Sequence, residues 1–313
     1  MTAIVCFLDS SDGKSRITAL SDSRASRDIG GKRCTISDDL TKIFRVRLAC
    51  HELRAFDATT GAFKDAYYTT ELGLCFAGYC LEAMTVVSQF TKCVERLVDA
   101  AESGTQPIPD PDRLLVLLRD LCSEFFRAHA FPKEQDLELV LFGYTDAGAA
   151  WAGKVNHYAA TGATYKLVTL DEGSVVVAGD CPNLEIECTR FALRISKRLG
   201  RLRISLAGEA REREEVMLYR SKRKYLENKI KKEIASNDAP TVGGRLHKSE
   251  LFLMGRSASL TFTGDALESA LLDRLFGDYE GLRYMPVNQP TGMDDVLHQF
   301  SDLGVEGAAT STV

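Results

Sequence analysis

Met1-Thr2-Ala3-Ile4-Val5-Cys6-Phe7-Leu8 opens the chain, and the reading of this stretch decides the fold. Side chains alternate with period two along a strand, so Thr2, Ile4, Cys6 and Leu8 fall on one side and Ala3, Val5 and Phe7 on the other. Both sides are mostly apolar, and such a strand must be covered on both faces. Asp9-Ser10-Ser11-Asp12-Gly13 is a turn by composition, and Arg16 to Ser23 returns as a second strand to close a hairpin. The same alternation puts Asp22 and Arg24 on one face. Residues 27–39 are polar and glycine-containing and read as a surface loop. A third strand opens with Thr41-Lys42-Ile43-Phe44-Arg45, with Lys42, Phe44 and Val46 expected on a common face.

Beyond it the pattern changes twice. Residues 47–72 read as an extended hairpin around Thr59-Thr60-Gly61, and Leu72 to Gly78 as a short buried strand. Ala83, Val87, Phe90, Val94, Leu97 and Ala101 recur at helical steps, which predicts a helix from Cys80 to Glu102. A Pro-rich break follows. Asp110 before Pro111 is a cap with proline at the first helical position, and Leu114, Leu117, Leu118, Leu121, Phe125 and Phe126 continue that second helix. From Leu137 four strand-like segments run to Gly179. Gly179-Asp180-Cys181-Pro182 opens a third helix, which a weak connection after Gly200 separates from a highly charged one at about Glu209 to Ala235. Thr241-Val242-Gly243-Gly244 then introduces two last strands. Strands apolar on both faces, interrupted by two pairs of helices, pack most economically as an α+β fold. It is a four-layer αββα sandwich of two antiparallel sheets with helices outside.

Composition narrows the function classes. At 313 residues one large domain or two modest ones are accommodated. No apolar run approaches the ~18 residues of a membrane span, and the first residues lack the basic start and cleavage site of a signal peptide, so the reading is a cytoplasmic protein with no membrane partner. Nine cysteines without a CxxC pair fit reduced packing residues better than disulfides or zinc. Cys6 in particular reads as core. His51, His129, His157 and His247 are dispersed, and no HExxH, P-loop or GxGxxG pattern occurs, so no cofactor and no metal are expected. A net charge of −5 gives no reason to expect nucleic acid. The basic run from Arg220 to Lys232 is interrupted by Glu227 and reads as a solvated helix face.

If Met1 is removed, Thr2 carries a hydroxyl and a free α-amine, a nucleophile and a proton acceptor on one residue. The segments TAIVCFL, ALSDSRAS and LTKIFRV, in this order, resemble the opening of proteasome β-type subunits and of the proteasome-like peptidase subunit of bacterial ATP-dependent proteases. Both are N-terminal nucleophile (Ntn) hydrolases. The resemblance spans residues 1–265, leaving 266–313 as a C-terminal extension, and it implies the same αββα architecture. It also implies Thr2 as nucleophile, Lys42 as the cation beside it, Asp22 as the partner of Lys42, Arg24 pairing around that cluster, and the Gly78 N–H as an oxyanion donor. Asp238, Thr241 and Gly243 resemble the acid, hydroxyl and glycine that complete such a site, although Val242 is inserted between hydroxyl and glycines. Asp180 stands where a hydroxyl is usual, and the 47–72 hairpin replaces a tighter turn. The implied function is hydrolysis of peptide bonds inside a self-assembled ring, with an ATP-dependent unfoldase as a partner. A catalytically silent scaffold subunit and a hydrolase of small amides remain alternatives.

Overall fold

The computed structural model describes residues 2–29, 32–60, 62–99, 106–128, 136–158, 161–179, 181–236 and 242–263. The chain divides into two compact units, Met1–Leu260 and Thr261–Val313; of the second, only residues 261–263 are described. The expected C-terminal extension 266–313 lies outside the described residues, as do Asp180, Asp238 and Thr241.

The fold is α+β. Its elements in order are β1 (Ala3–Asp9), β2 (Arg16–Asp22), β3 (Ala25–Ile29), β4 (Lys32–Ser37), β5 (Ile43–Glu52), β6 (Phe56–Asp57), β7 (Ala62–Phe63), β8 (Tyr68–Gly78), α1 (Cys80–Val94) and β9 (Leu97–Asp99). Then come α2 (Pro111–Ala128), β10 (Leu137–Tyr144), β11 (Ala150–Tyr158), β12 (Gly162–Thr169), β13 (Val175–Gly179), α3 (Pro182–Ser205), α4 (Gly208–Ala235), β14 (Leu246–Met254) and β15 (Ser257–Thr263). A five-stranded sheet has the order β13-β1-β2-β14-β15 and a six-stranded one the order β12-β11-β10-β8-β5-β9. The second sheet is mixed and not wholly antiparallel as expected, because the short β9 runs parallel to β5.

Each sheet has its own helix pair. α1 packs on β5 and β8, and α2 on β11 and β12, over a core that includes Leu72, Leu74, Phe76, Phe90, Leu115, Leu118 and Trp151. α3 packs on β13, and α4 on β1 and β2, over Ala3, Val5, Phe7, Leu184, Leu226 and Ile230. Ile4 and Cys6, on the other side of β1, are also fully buried, as the two-faced sequence of that strand requires. Asp110 caps α2 as its sequence predicts: its Oδ1 accepts the Arg113 N–H at 2.8 Å.

Four other sequence expectations need correction. Residues 27–39 are not a plain loop, since β3 and β4 pair as an antiparallel hairpin. α1 stops at Val94, where Leu97 to Asp99 leave the helical repeat to pair with Cys50 to Glu52. α3 runs through Gly200 to Ser205. Lys42 does not share a face with Phe44 and Val46: those two pack in the core beneath α1 and α2, whereas Lys42 precedes the strand and reaches Asp22 of the five-stranded sheet.

α4 is fastened to the β1–β2 turn by charge. Arg16 pairs with Asp9, Asp12 and Glu250, and Arg223 of α4 pairs with Asp9, Glu227 and Glu250. A cleft of about 370 Å³ opens there, but these guanidiniums already face carboxylates. Deeper in, Lys222 is fully buried; its Nζ donates to the Leu8 and Glu172 carbonyls at 3.3 and 2.8 Å and lies over the Phe7 ring. Burial pulls its ammonium down to about 8, against the pull of Asp171 and Asp9.

This lysine makes stability depend on pH. Its value in the unfolded chain is ~10.4, so between about pH 8 and ~10.4 the unfolded chain holds a proton that the folded one has released. Stability therefore rises through that window. Relative to Lys222→Met, the wild-type protein is expected to gain up to about 3 kcal/mol between pH 7 and 10.5, read from paired urea melts. A difference independent of pH would show that Lys222 stays charged in the fold.

Candidate active site

Thr2 lies just ahead of β1, 1% exposed. Lys42 Nζ donates to its Oγ1 at 2.7 Å and to both oxygens of Asp22 at 3.1 Å. An ammonium has three donors, and all three are used. Lys42 is itself 1% exposed and Asp22 fully buried. Burial lowers the Lys42 pKa, while the Asp22 carboxylate opposes the fall.

Asp22 does more than hold the lysine. Its Oδ1 accepts the Ala3 N–H at 2.9 Å, and its Oδ2 accepts the N–H groups of Arg24 at 3.2 Å and Gly243 at 3.1 Å. The strand pairing explains how these groups meet. Ile4 pairs with Ser21 in the β1–β2 hairpin, which brings the chain start beside Asp22. Leu246 pairs with Asp22 across β2 and β14, so the segment entering β14 passes the same carboxylate. Lys42 arrives from the six-stranded sheet, where its carbonyl accepts the Phe76 N–H at 3.2 Å.

The structure thus brings together Thr2, Asp22, Lys42 and Gly243. Arg24 stands at the rim: its backbone N–H binds Asp22, but its guanidinium pairs with Asp38 at 2.7 Å and reaches the Val242 carbonyl at 3.5 Å. That guanidinium occupies the space a Gly243 side chain would need, with a Cβ 2.2 Å from its carbon. Gly78 ends β8 with φ +118°, and a Cβ there would lie 2.3 Å from the Asp136 carbonyl oxygen, so both conformation and approach demand glycine.

Ser23 and Gly179 make contacts that sequence reasoning did not assign. Ser23 links β2 to both neighbours of the site: its Oγ donates to the Asp38 carbonyl and accepts the Arg245 N–H at 2.7 Å. Gly179 lies on Thr2 so closely that a Cβ would sit 1.6 Å from the Thr2 carbonyl oxygen. Its N–H donates to Glu138 of β10 at 2.6 Å. The sequence marks Gly179 as part of the opening of the third helix, but nothing local connects it to a glutamate 41 positions earlier.

Chemically, the arrangement offers a hydroxyl oxygen already receiving a hydrogen bond from a buried cation, which stabilises negative charge on that oxygen. The hydroxyl proton remains to be taken by a base. Among the described residues no group of three or more His, Cys, Asp or Glu side chains converges to hold a metal ion, and no helix is long and apolar enough to cross a membrane.

No family model and no curated protein matches the sequence. Among solved structures, an Anbu mutant from Hyphomicrobium sp. strain MC1 is similar at 13% identity and TM-score 0.47, over 92% of this chain and 100% of that one. The helical assembly of the Anbu complex from Pseudomonas aeruginosa is similar at 13% and 0.45, over 91% and 98%. Anbu, described as an ancestral beta-subunit, from Yersinia bercovieri is similar at 12% and 0.45, over 91% and 100%. Overlaps below a TM-score of 0.5 at such identities decide neither a family nor an activity.

The contacts of Asp22 order the cost of losing each partner. Lys42→Met strands one buried carboxylate, typically ~3–5 kcal/mol, though three backbone N–H groups still solvate it. Asp22→Ala strands the ammonium and also leaves three N–H groups unpaired, each ~1–3 kcal/mol. Urea unfolding is expected to place Asp22→Ala well below Lys42→Met in midpoint. The reverse order would mean that the carboxylate is held chiefly by the lysine.

Proposed function

We propose that the two sheets and four helices form the four-layer αββα sandwich of Ntn hydrolases. Removal of Met1 exposes Thr2 as the nucleophile of an amide hydrolase acting on peptide bonds. The observation that carries this reading is the 2.7 Å contact from Lys42 Nζ to Thr2 Oγ1, made by a buried ammonium that Asp22 holds at 3.1 Å. The α-amine released by methionine excision has an ordinary pKa of ~7.7–8.0, and the adjacent cation lowers it further. At neutral pH it accepts the hydroxyl proton as Oγ1 attacks the carbonyl carbon. Lys42 then stabilises the oxygen, the Gly78 N–H receives the oxyanion of the tetrahedral intermediate, and the amine returns its proton to the leaving nitrogen. The resulting ester is hydrolysed by water in the same way. Asp22 orients Lys42 and is not a base.

The resemblance of the opening segments extends the reading to a closed homo-oligomeric ring in the cytoplasm, supplied with polypeptide by an ATP-dependent unfoldase. Residues 1–265 would form the hydrolase domain and 266–313 an extension. Leu81 and Met84 on α1, and Ile204 of α3, are exposed apolar side chains of the kind that subunit contacts bury. Thr2 itself is 1% exposed, and that favours a second reading, a silent scaffold subunit in which Met1 is retained and the amine blocked.

Intact-mass analysis is expected to find Thr2 at the N-terminus. Thr2→Ala keeps excision and the amine but deletes the attacking oxygen, so peptide hydrolysis should fall by about 10³-fold or more in a protein that still folds, with a stability loss of ~1–3 kcal/mol for the Lys42 donor left unpaired. Thr2→Ser should keep part of the rate. In the wild-type protein kcat/KM should rise with pH to a plateau near ~8, as the amine loses its proton. Wild-type turnover by Thr2→Ala would remove Thr2 from the chemistry, and quantitative retention of Met1 would leave the scaffold reading.

A further inference from the structure

Thr2 is framed by two carboxylates, and only one of them belongs to the site described so far. Ala3 and Gly179 stand opposite each other where β1 pairs with β13. The N–H of Ala3 goes to Asp22, while that of Gly179 goes to Glu138 at 2.6 Å. Glu138 belongs to the other sheet, paired with Ala77 of β8 on one side and Asn156 of β11 on the other.

Glu138 is elaborately held. Lys154 Nζ lies 3.0 Å from its Oε2, with the two side chains 20% and 13% exposed, and the same Nζ donates to the Val177 carbonyl at 3.2 Å. Tyr158 donates its hydroxyl to Oε1 at 2.7 Å. Lys154, Asn156 and Tyr158 alternate along β11, so they share one face with Glu138 beside them. Two strands of the six-stranded sheet thus supply a carboxylate that holds the Gly179 N–H, a cation that bridges that carboxylate and the Val177 carbonyl, and a phenol that donates to the carboxylate. That is far more polar anchoring than a strand end requires, since the Gly179 N–H would be satisfied by water or a backbone carbonyl.

The Gly179 contact with Thr2 supplies the reason. Gly179 has φ +103°, and its Cα lies so close to the Thr2 carbonyl that no side chain fits between them. The planar Thr2–Ala3 peptide is thus held from both sides, its N–H by Asp22 and its carbonyl against Gly179, and that plane limits where the Thr2 side chain can stand.

We infer that Glu138 is a positioning residue for Thr2: by holding the Gly179 N–H, with Lys154 and Tyr158 fixing its carboxylate, it clamps β13 against the Thr2 carbonyl from the side opposite Asp22. The inference deepens the proposed hydrolase reading and rests on it for its kinetic consequence, but the clamp itself is a statement about structure. Glu138 touches no reacting atom, so its loss should act on the geometry of attack and leave substrate binding intact.

The test compares full-length wild type, Glu138→Ala and Glu138→Gln. Glutamine keeps one acceptor oxygen for the Gly179 N–H and gives up the charge pairing with Lys154. Amide hydrogen exchange is followed in peptides covering Thr2–Leu8 and Val175–Gly179, and kcat and KM are measured on a fluorogenic peptide. Glu138→Ala should speed exchange in both segments and lower kcat by about 10–100-fold, the scale of a 1 Å misplacement, with KM within about twofold. Glu138→Gln should restore most of both, which a loss of general stability would not allow. Unchanged exchange in Glu138→Ala, or faster exchange with wild-type kcat, overturns the inference, as does a loss that Glu138→Gln does not rescue. If the wild-type protein shows no Thr2-dependent hydrolysis, the reading of function falls. The exchange at Thr2–Leu8 then decides alone whether Glu138 holds the segment.

Discussion

A fully buried carboxylate with no water to solvate it must find its hydrogen bonds in the protein, and the way Asp22 does so shapes the surroundings of Thr2. It collects N–H groups from the start of β1, from the turn after β2 and from the segment entering β14, together with the ammonium of Lys42 from the other sheet. Each donor is a constraint on a different part of the chain. Once they are satisfied, Thr2 Oγ1 is held within reach of Lys42 Nζ from the β2 side. The ion pair is then less a source of stability than a means of registering two sheets against each other, which is the best-attested use of buried charge.

Much of this was legible in the sequence, and the reasons differ from residue to residue. The β1–β2 hairpin was readable because both faces of residues 2–8 are apolar and a five-residue polar turn follows. Asp110-Pro111 announced α2 through chemistry confined to one helical turn. Lys42 was found, but its direction was not: period-two alternation assigned it to the helix-covered side with Phe44, and the alternation fails because Lys42 stands outside the strand. α1 was read too long since Leu97 fits the helical repeat, and its parallel pairing with Cys50 depends on a partner almost fifty residues away. The β3–β4 hairpin escaped notice because its residues carry almost no apolar alternation to read.

Glu138 marks the deeper limit. In sequence it is one charged residue in the apolar run from Leu137 to Tyr144, and such a charge reads as an interruption. Its meaning appears only when β10 and β13 face each other and the Gly179 N–H comes within reach. Asp22 and Glu138 are alike in that each carboxylate holds a backbone N–H of a residue next to or against Thr2, but only Asp22 lies in a local pattern.

The place of β14 beside β2 has a consequence for the order of events during synthesis. In synthesis Gly243, whose N–H Asp22 requires, emerges about 240 residues after Thr2. At roughly 5–20 residues per second, that interval is on the order of 10–50 s. Throughout it the nascent chain has its threonine but not the completed surroundings of Asp22, and closing a contact across so many residues is slow by topology alone. The hydrogen bonds that hold Asp22, and with it the Lys42–Thr2 contact, are thus completed only after most of the chain has been made.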